Sequence, residues 1–171
     1  MIKKVGKFIV ALNGNASKSQ IAAGISWGVL LGLVPINNFF GIVLFIVSFF
    51  FSHNHASKLF GMALVKLVSP LLLPVIDMLG WHILYIESLQ PIFTTMYNMP
   101  FVPFTKFNNT LVMGGIVGGF LLWLPVFFFF MAFIPLYRNT IAPLIRGSKI
   151  FKKVAKSPLL KVVDKFVLGK D

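Results

Sequence analysis

Three apolar blocks, separated by short polar breaks, run along the chain. The first covers residues 19–52 and carries no charge at all between Lys18 and Lys58. As one helix it would be roughly 50 Å long, more than a single span of about 20 residues needs. Pro35-Ile36-Asn37-Asn38 lies at its centre, and proline followed by asparagines marks a break. The pattern predicts two short helices, near 20–34 and 39–52, forming either a re-entrant hairpin or two thin spans. Such a break is tolerated at membrane depth only where protein or a wet cavity covers the freed backbone groups. A polar connector, His53-Asn-His55-Ala-Ser-Lys58, leads to the second block at 59–86, which Lys66, Pro70, Pro74 and Asp77 interrupt. The third block, 110–137, is expected to break at Pro125 and Pro135. Residues 87–109 hold Pro91, Pro100, Pro103 and several phenylalanines. They read as an external loop lying partly on the membrane surface.

The two ends have a different pattern. Residues 1–12 alternate lysine with apolar residues at roughly helical spacing, and Asn13-Gly-Asn stops the run. A short interfacial helix or a disordered basic tail accounts for it. In the tail, Ile150, Phe151, Val154 and Ala155 fall on one helical face, against Lys149, Lys152, Lys153 and Lys156 mostly on the other. Pro158 interrupts, and Leu159, Val162, Val163 and Phe166 resume the pattern. This is a basic amphipathic pair suited to an anionic inner leaflet. The organisation is therefore a basic interfacial segment at 1–18, a helical membrane domain at 19–137 and a basic tail at 138–171.

Composition narrows the class. Apolar residues make up 57% of the chain and the mean hydropathy is +0.88, too much for a soluble domain of this size to bury. The net charge of +12 would point to nucleic acid in a soluble protein. Here the basic residues flank the apolar blocks, the positive-inside signature, and no nucleic-acid partner is expected. An even number of crossings then leaves both termini cytoplasmic. The favoured topology is a hairpin at 19–52, a crossing at 59–86 and a return at 110–137. With no cysteine, disulfides, Cys-ligated zinc and thiol catalysis are excluded.

Candidate chemistry is sparse. Lys66 and Asp77 are ionisable groups inside an apolar block, which default to a functional reading. They are about 16 Å apart on a straight helix, too far to pair unless the prolines bend it. Each could instead meet another segment, or reach its nearer interface. Asn37 and Asn38 make either a plain turn or the lining of a polar cavity. His53 and His55 read as a polar connector or as half a metal site lacking a nearby carboxylate. His82, beside Trp81, reads as an interface anchor. No catalytic constellation, metal site or cofactor is expected.

A weak repeat also runs through the chain. Gly24-x-x-x-Gly28 precedes Pro35, and Gly114-x-x-x-Gly118 precedes Pro125, every position offset by 90. Glycines at this spacing let helix backbones approach closely, and internal repeats build many transport folds.

The run Ala23-Gly24-x-x-x-Gly28-x-x-x-Gly32-x-x-Pro35, the later Ser69-Pro70-x-x-x-Pro74 and a glycine-rich last span resemble a short bacterial inner-membrane family known only as a domain of unknown function. The likeness covers about residues 15–145. A subgroup of this length is typically encoded beside a large AsmA-like envelope protein, of a kind thought to bridge the periplasm and conduct lipid. The family commonly has Asn-Pro where this chain has Ser69-Pro70, so nothing is carried over for that asparagine. The resemblance assigns no catalytic residue.

The expectation is an all-α integral membrane protein of broken or re-entrant hairpins, with amphipathic helices at both ends. The expected function is a non-enzymatic inner-membrane subunit of an envelope lipid-transport system. It would work with membrane phospholipids and an AsmA-like partner. Gly24, Gly28, Gly32, Pro35, Asn37, Asn38, Lys66, Pro70, Pro74, Asp77, Gly114, Gly118 and Pro125 are the candidate lipid-path or packing residues. A small transporter or channel, and a structural inner-leaflet scaffold, are the alternatives.

Overall fold

A computed structural model describes residues 16–35 and 38–141. The described residues contain helices and turns and no strand. Helix α1 is Lys18–Leu33, α2 is Phe39–Val47, α3 is His55–Leu84, α4 is Gln90–Tyr97 and α5 is Thr110–Leu136. Single 3-10 turns follow α2 at Ser48–Phe50 and flank α4 at Glu87–Leu89 and Val102–Thr105, and a π-helical turn ends α5 at Tyr137–Ile141. The basic N-terminal segment before residue 16, Asn37 and the lysine-rich tail lie outside the described residues.

Short polar side chains start the four main helices. Ser17 accepts the Gln20 amide, Asn38 the Gly41 amide, Asn54 the Ser57 amide and Asn109 the Val112 amide. Each satisfies one of the donors that a helix start leaves without a partner. Asn38 does more than cap. Its Nδ2 also donates to the Pro35 carbonyl at 2.6 Å, so the break between α1 and α2 is closed from both sides by one side chain.

The expected breaks in the second and third blocks do not occur. Helix α3 runs through Pro70 and Pro74, and α5 runs through Pro125 and Pro135. A proline removes one backbone donor and frees the carbonyl four residues earlier. At Pro70 that carbonyl belongs to Lys66, and the Ser69 hydroxyl donates to it at 2.9 Å. Side-chain rescue of this kind keeps apolar helices continuous through proline.

The packing fixes the directions. The Asn54 amide donates to the Gln20 carbonyl, Gly28 lies on Lys58 and Gly61, and Lys66 reaches Val34. Residue numbers rise together, so α1 and α3 are parallel and α2 must run back between them. Helix α5 is antiparallel to both: Gly114 meets Ile76, Gly115 meets Leu33, Gly119 meets Leu30, and Arg138 donates to the Ala16 carbonyl at 3.0 Å. The start of α1, the 51–54 connector and the end of α5 thus share one end of the molecule, its base.

Helix α1 is the buried centre. Ile21, Ala22 and Ile25 pack with Ile134 of α5, and Trp27, Leu30, Leu31 and Val34 pack with Leu44 of α2. The partners of α1 face outward with large apolar side chains, among them Leu67, Leu71, Leu121 and Phe128. Both α3 and the helical stretch Thr110–Thr140 are long and apolar enough to cross a membrane.

The contacts among α1, α3 and α5 are made through backbone. A β-carbon on Gly80 would run into the Thr110 carbonyl, and one on Gly114 into the Ile76 carbonyl. Gly118 meets only the tip of Leu79, at 3.3 Å. Replacing Gly80 or Gly114 by valine should therefore separate α3 from α5 and destabilise the fold by about 1–3 kcal/mol or more. Gly118→Ala should leave the melting temperature in detergent unchanged or slightly raised, since alanine favours helix.

Candidate functional site

Two polar positions stand out in this apolar bundle, one at each end of the α1–α2 pair. The first is at the tip. Helix α1 lies along α3 up to Gly32, which sits against Val65, and then the two part. In the fork is a cavity of about 400 Å³ lined by Gly32, Pro35, Lys66, Ser69, Ile76 and Leu111. The Lys66 ammonium donates to the Val34 carbonyl at 2.9 Å, at the C-terminal end of α1, where the helix dipole favours a cation. Lys66 stands eleven residues into α3, about 16 Å from its start. The tip of the α1–α2 pair therefore reaches only part of the way along this 30-residue helix.

A second cavity, about 510 Å³, lies on the outer side of the tip between Asn38, Phe39, Ile42, Phe101, Phe104 and Lys106. Its roof is a strained loop. Phe101 and Lys106 have φ of 68° and 53°, the left-handed region that is costly for a bulky side chain.

The second polar position is the base. Lys58 is 1% exposed. Its ammonium donates to the Ser48 hydroxyl at 2.8 Å and lies 3.8 Å from the centre of the Phe49 ring and 5.0 Å from that of Phe45. Cation–π attraction of this kind gains strength when desolvated. Beside it, His53 stacks at 6.4 Å on Trp27 and meets His55 edge-on at 4.7 Å. Both ring nitrogens of His53 are buried without a hydrogen-bond partner. Burial, then the charges of Lys58 and His55, hold His53 below the usual imidazole range, and the nearby Phe51 backbone offsets only part of this.

The structure places each of the remaining sequence candidates. Lys66 and Asp77 do not pair. Lys66 reaches α1, and Asp77 accepts a hydrogen bond from Thr110 at the start of α5. Pro35 and Asn38 build the tip, and Pro70 and Pro74 lie within α3. Gly24 and Gly28 pack against the Asn54 and Lys58 carbonyls. Pro125 lies inside α5, beyond the fork. His82 bonds its own helix at the Met78 carbonyl and lies 5.2 Å from Trp81. Asn37 and the surface lysines Lys149, Lys152, Lys153 and Lys156 lie outside the described residues. Among the described residues no three histidine or acidic side chains gather in a metal-binding group.

Several contact residues escape the sequence pattern. The tight approach of α5 to α1 is made by Gly115 and Gly119, one position beyond the repeat pair, and Gly80 supplies the facing half of the α3–α5 contact. Ser48 and Lys58 are ten residues apart in sequence, and the turn from α2 into α3 brings them together.

An uncharacterized protein of Treponema pallidum (strain Nichols) is 30% identical over 161 residues, covering 94% of this chain and 99% of that protein. The chain belongs to that protein's family. The match takes in all of α1 to α5 and is not confined to one helix. No family model matches the chain, and no solved structure matches it.

The low proton affinity of His53 gives a pH prediction. As pH falls through the ordinary imidazole value of 6.5, the unfolded chain takes up a proton that the folded chain resists. Stability is then complete above that value and declines below it. The melting temperature in detergent should be lower at about pH 5.5 than at about pH 7.5, and His53→Phe should reduce the difference.

Proposed function

We propose that this protein is a non-enzymatic subunit of the bacterial inner membrane that handles phospholipid at the fork between α1, α3 and α5. In this reading α3 and α5 cross the bilayer. The α1–α2 pair enters from the cytoplasmic side as a re-entrant hairpin and returns, which leaves both termini cytoplasmic. The basic flanks of the sequence support that orientation. The parallel run of α1 and α3 supports the hairpin, since the base then holds the start of both. The antiparallel run of α1 and α5 supports reading the two Gly-x-x-x-Gly…Pro segments as an inverted pair, the chain reversing after Pro35 and continuing through Pro125.

The observation that carries the functional reading is the Lys66 ammonium at the edge of a mostly apolar cavity. A charged group at this depth is costly and serves a polar partner. Its single hydrogen bond goes to a backbone carbonyl, which leaves two of three donors for another group. A cavity with one cation, one hydroxyl at Ser69 and apolar walls matches an amphiphile with an anionic head. The outward apolar faces of α3 and α5 give acyl chains a continuous surface beside the fork. The large AsmA-like partner rests on the sequence resemblance, which makes it the natural acceptor of lipid leaving the fork on the periplasmic side.

Purification in a phosphate-free, sugar-headed detergent followed by mass spectrometry of bound lipid tests this. The wild-type chain should retain anionic phospholipid. Lys66→Gln should lower the bound amount roughly fivefold, equivalent to about 1 kcal/mol, and Lys66→Arg should keep it. Equal lipid in all three chains would refute the assignment. Co-purification of the AsmA-like neighbour with the wild-type chain tests the partner separately.

A further inference from the structure

The base of the hairpin carries a second set of polar groups that the fork does not use. Lys58 is a buried ammonium with no carboxylate partner among the described residues: Asp77 is engaged by Thr110 and Glu87 lies in the turn beyond α3. A buried cation without a counter-charge is expensive, and the Ser48 hydroxyl and two ring faces supply only part of its compensation. Lys58 itself lies in the first turn of α3, a helix of 30 residues. Asn54 and its carboxamide engage the amides of Lys58 and Ser57. His55 and Ala56, the first two residues of the helix, are exposed, and the positive end of a helix dipole attracts anions.

The histidines supply the independent observation. His53 is 8% exposed, and neither ring nitrogen makes a hydrogen bond of good geometry, although the Phe51 backbone lies close enough to favour its protonated form. A buried polar group so weakly satisfied is uncommon in a folded protein, and a bound water or anion is one way to satisfy it. His55 stands exposed at the rim, its ring 4.7 Å from His53 and 5.1 Å from Phe49. Both His53 nitrogens are covered, so a ligand reaches them only if a neighbouring ring such as the exposed His55 turns aside.

We propose that His53, His55 and the first amides of α3 bind a phosphate group at the base of the hairpin, with Lys58 supplying positive charge from beneath. Each imidazole offers an N–H, and the two backbone amides approach from a third direction. Donors from several sides suit a tetrahedral oxyanion, which presents acceptors on all its faces. Lys58 acts through its field and does not touch the ligand, because Ser48, Phe45 and Phe49 enclose its ammonium. The phosphate belongs either to a lipid headgroup or to a free anion. This site stands independently of the fork, since it shares no residue with the Lys66 cavity.

The chain has three histidines, His53, His55 and His82, so imidazole ¹⁵N–¹H spectra of the full-length protein in sugar-headed detergent report the site directly. His82, at the other end of α3, is the internal control. Inorganic phosphate and, separately, phosphatidic acid in mixed micelles are titrated against sodium chloride of equal ionic strength. Saturable shifts of His53 and His55, with His82 still, support the site. Saturation by inorganic phosphate identifies a free anion, and saturation by the lipid alone identifies a headgroup. His55→Ala, at an exposed position, and Lys58→Met should each weaken binding about tenfold. The His82 signal certifies that each variant is folded. Shifts matched by chloride, or no shift of His53 and His55 with either phosphate source, would overturn the proposal.

Discussion

In the proposed membrane setting, helices surrounded by lipid gain little by burying apolar side chains against one another, so what holds them is close contact and polar fit. In this bundle the contact is made by glycine. Gly24 and Gly28 admit the start of α3 to the flank of α1, Gly80 and Gly114 bring α3 and α5 together, and Gly115 and Gly119 seat α5 on the far end of α1. Three helices thus share one seam in which carbonyls replace β-carbons as neighbours. That closeness draws the Val34 carbonyl within reach of Lys66, sets Arg138 beside Ala16 and brings the 51–54 connector onto Gln20.

The same seam creates the two polar positions. Where α1 ends, the seam opens and leaves a cavity with a lysine at its edge. Where α2 returns, it folds a serine and two phenylalanines over Lys58. Each places an ammonium in apolar surroundings, one open to a cavity and one enclosed, and each is reached from a different end of the hairpin. The tip is held by Asn38, which bonds Pro35 on one side and Gly41 on the other, so the break is a built turn. A strained loop lies against it through Phe101 and Phe104.

Much of this was legible in the sequence because apolar length and punctuation are strong signals. The two short helices of the first block emerged near 20–34 and 39–52, as Pro35 and Asn38 implied. The connection between the second and third blocks showed itself by its prolines, although its short helix at Gln90–Tyr97 did not. Proline misled in the longer blocks. In α3 the Ser69 hydroxyl takes up the carbonyl that Pro70 frees, a compensation invisible to a pattern of breakers, and α5 likewise stays helical through Pro125 and Pro135. The Gly-x-x-x-Gly pairs pointed to close packing, yet the pattern could not say that Gly115 and Gly119 face α1 while Gly118 faces a side chain. The Lys66–Asp77 question was one of tertiary partners, and only the fold assigns each to a different helix. Lys58 looked like part of a polar connector because its burial depends wholly on the return of α2.

In the proposed topology the α1–α2 pair enters and leaves on the same side, alongside two full crossings. The chain has no cysteine, so single cysteines can be introduced without background. In sealed inside-out membrane vesicles, a membrane-impermeant maleimide should label Ser52→Cys and Thr140→Cys from outside the vesicle. Asn98→Cys should react only after the vesicles are opened. Labelling of Ser52→Cys from the same side as Asn98→Cys would show that the pair crosses the bilayer differently, and would contradict the account.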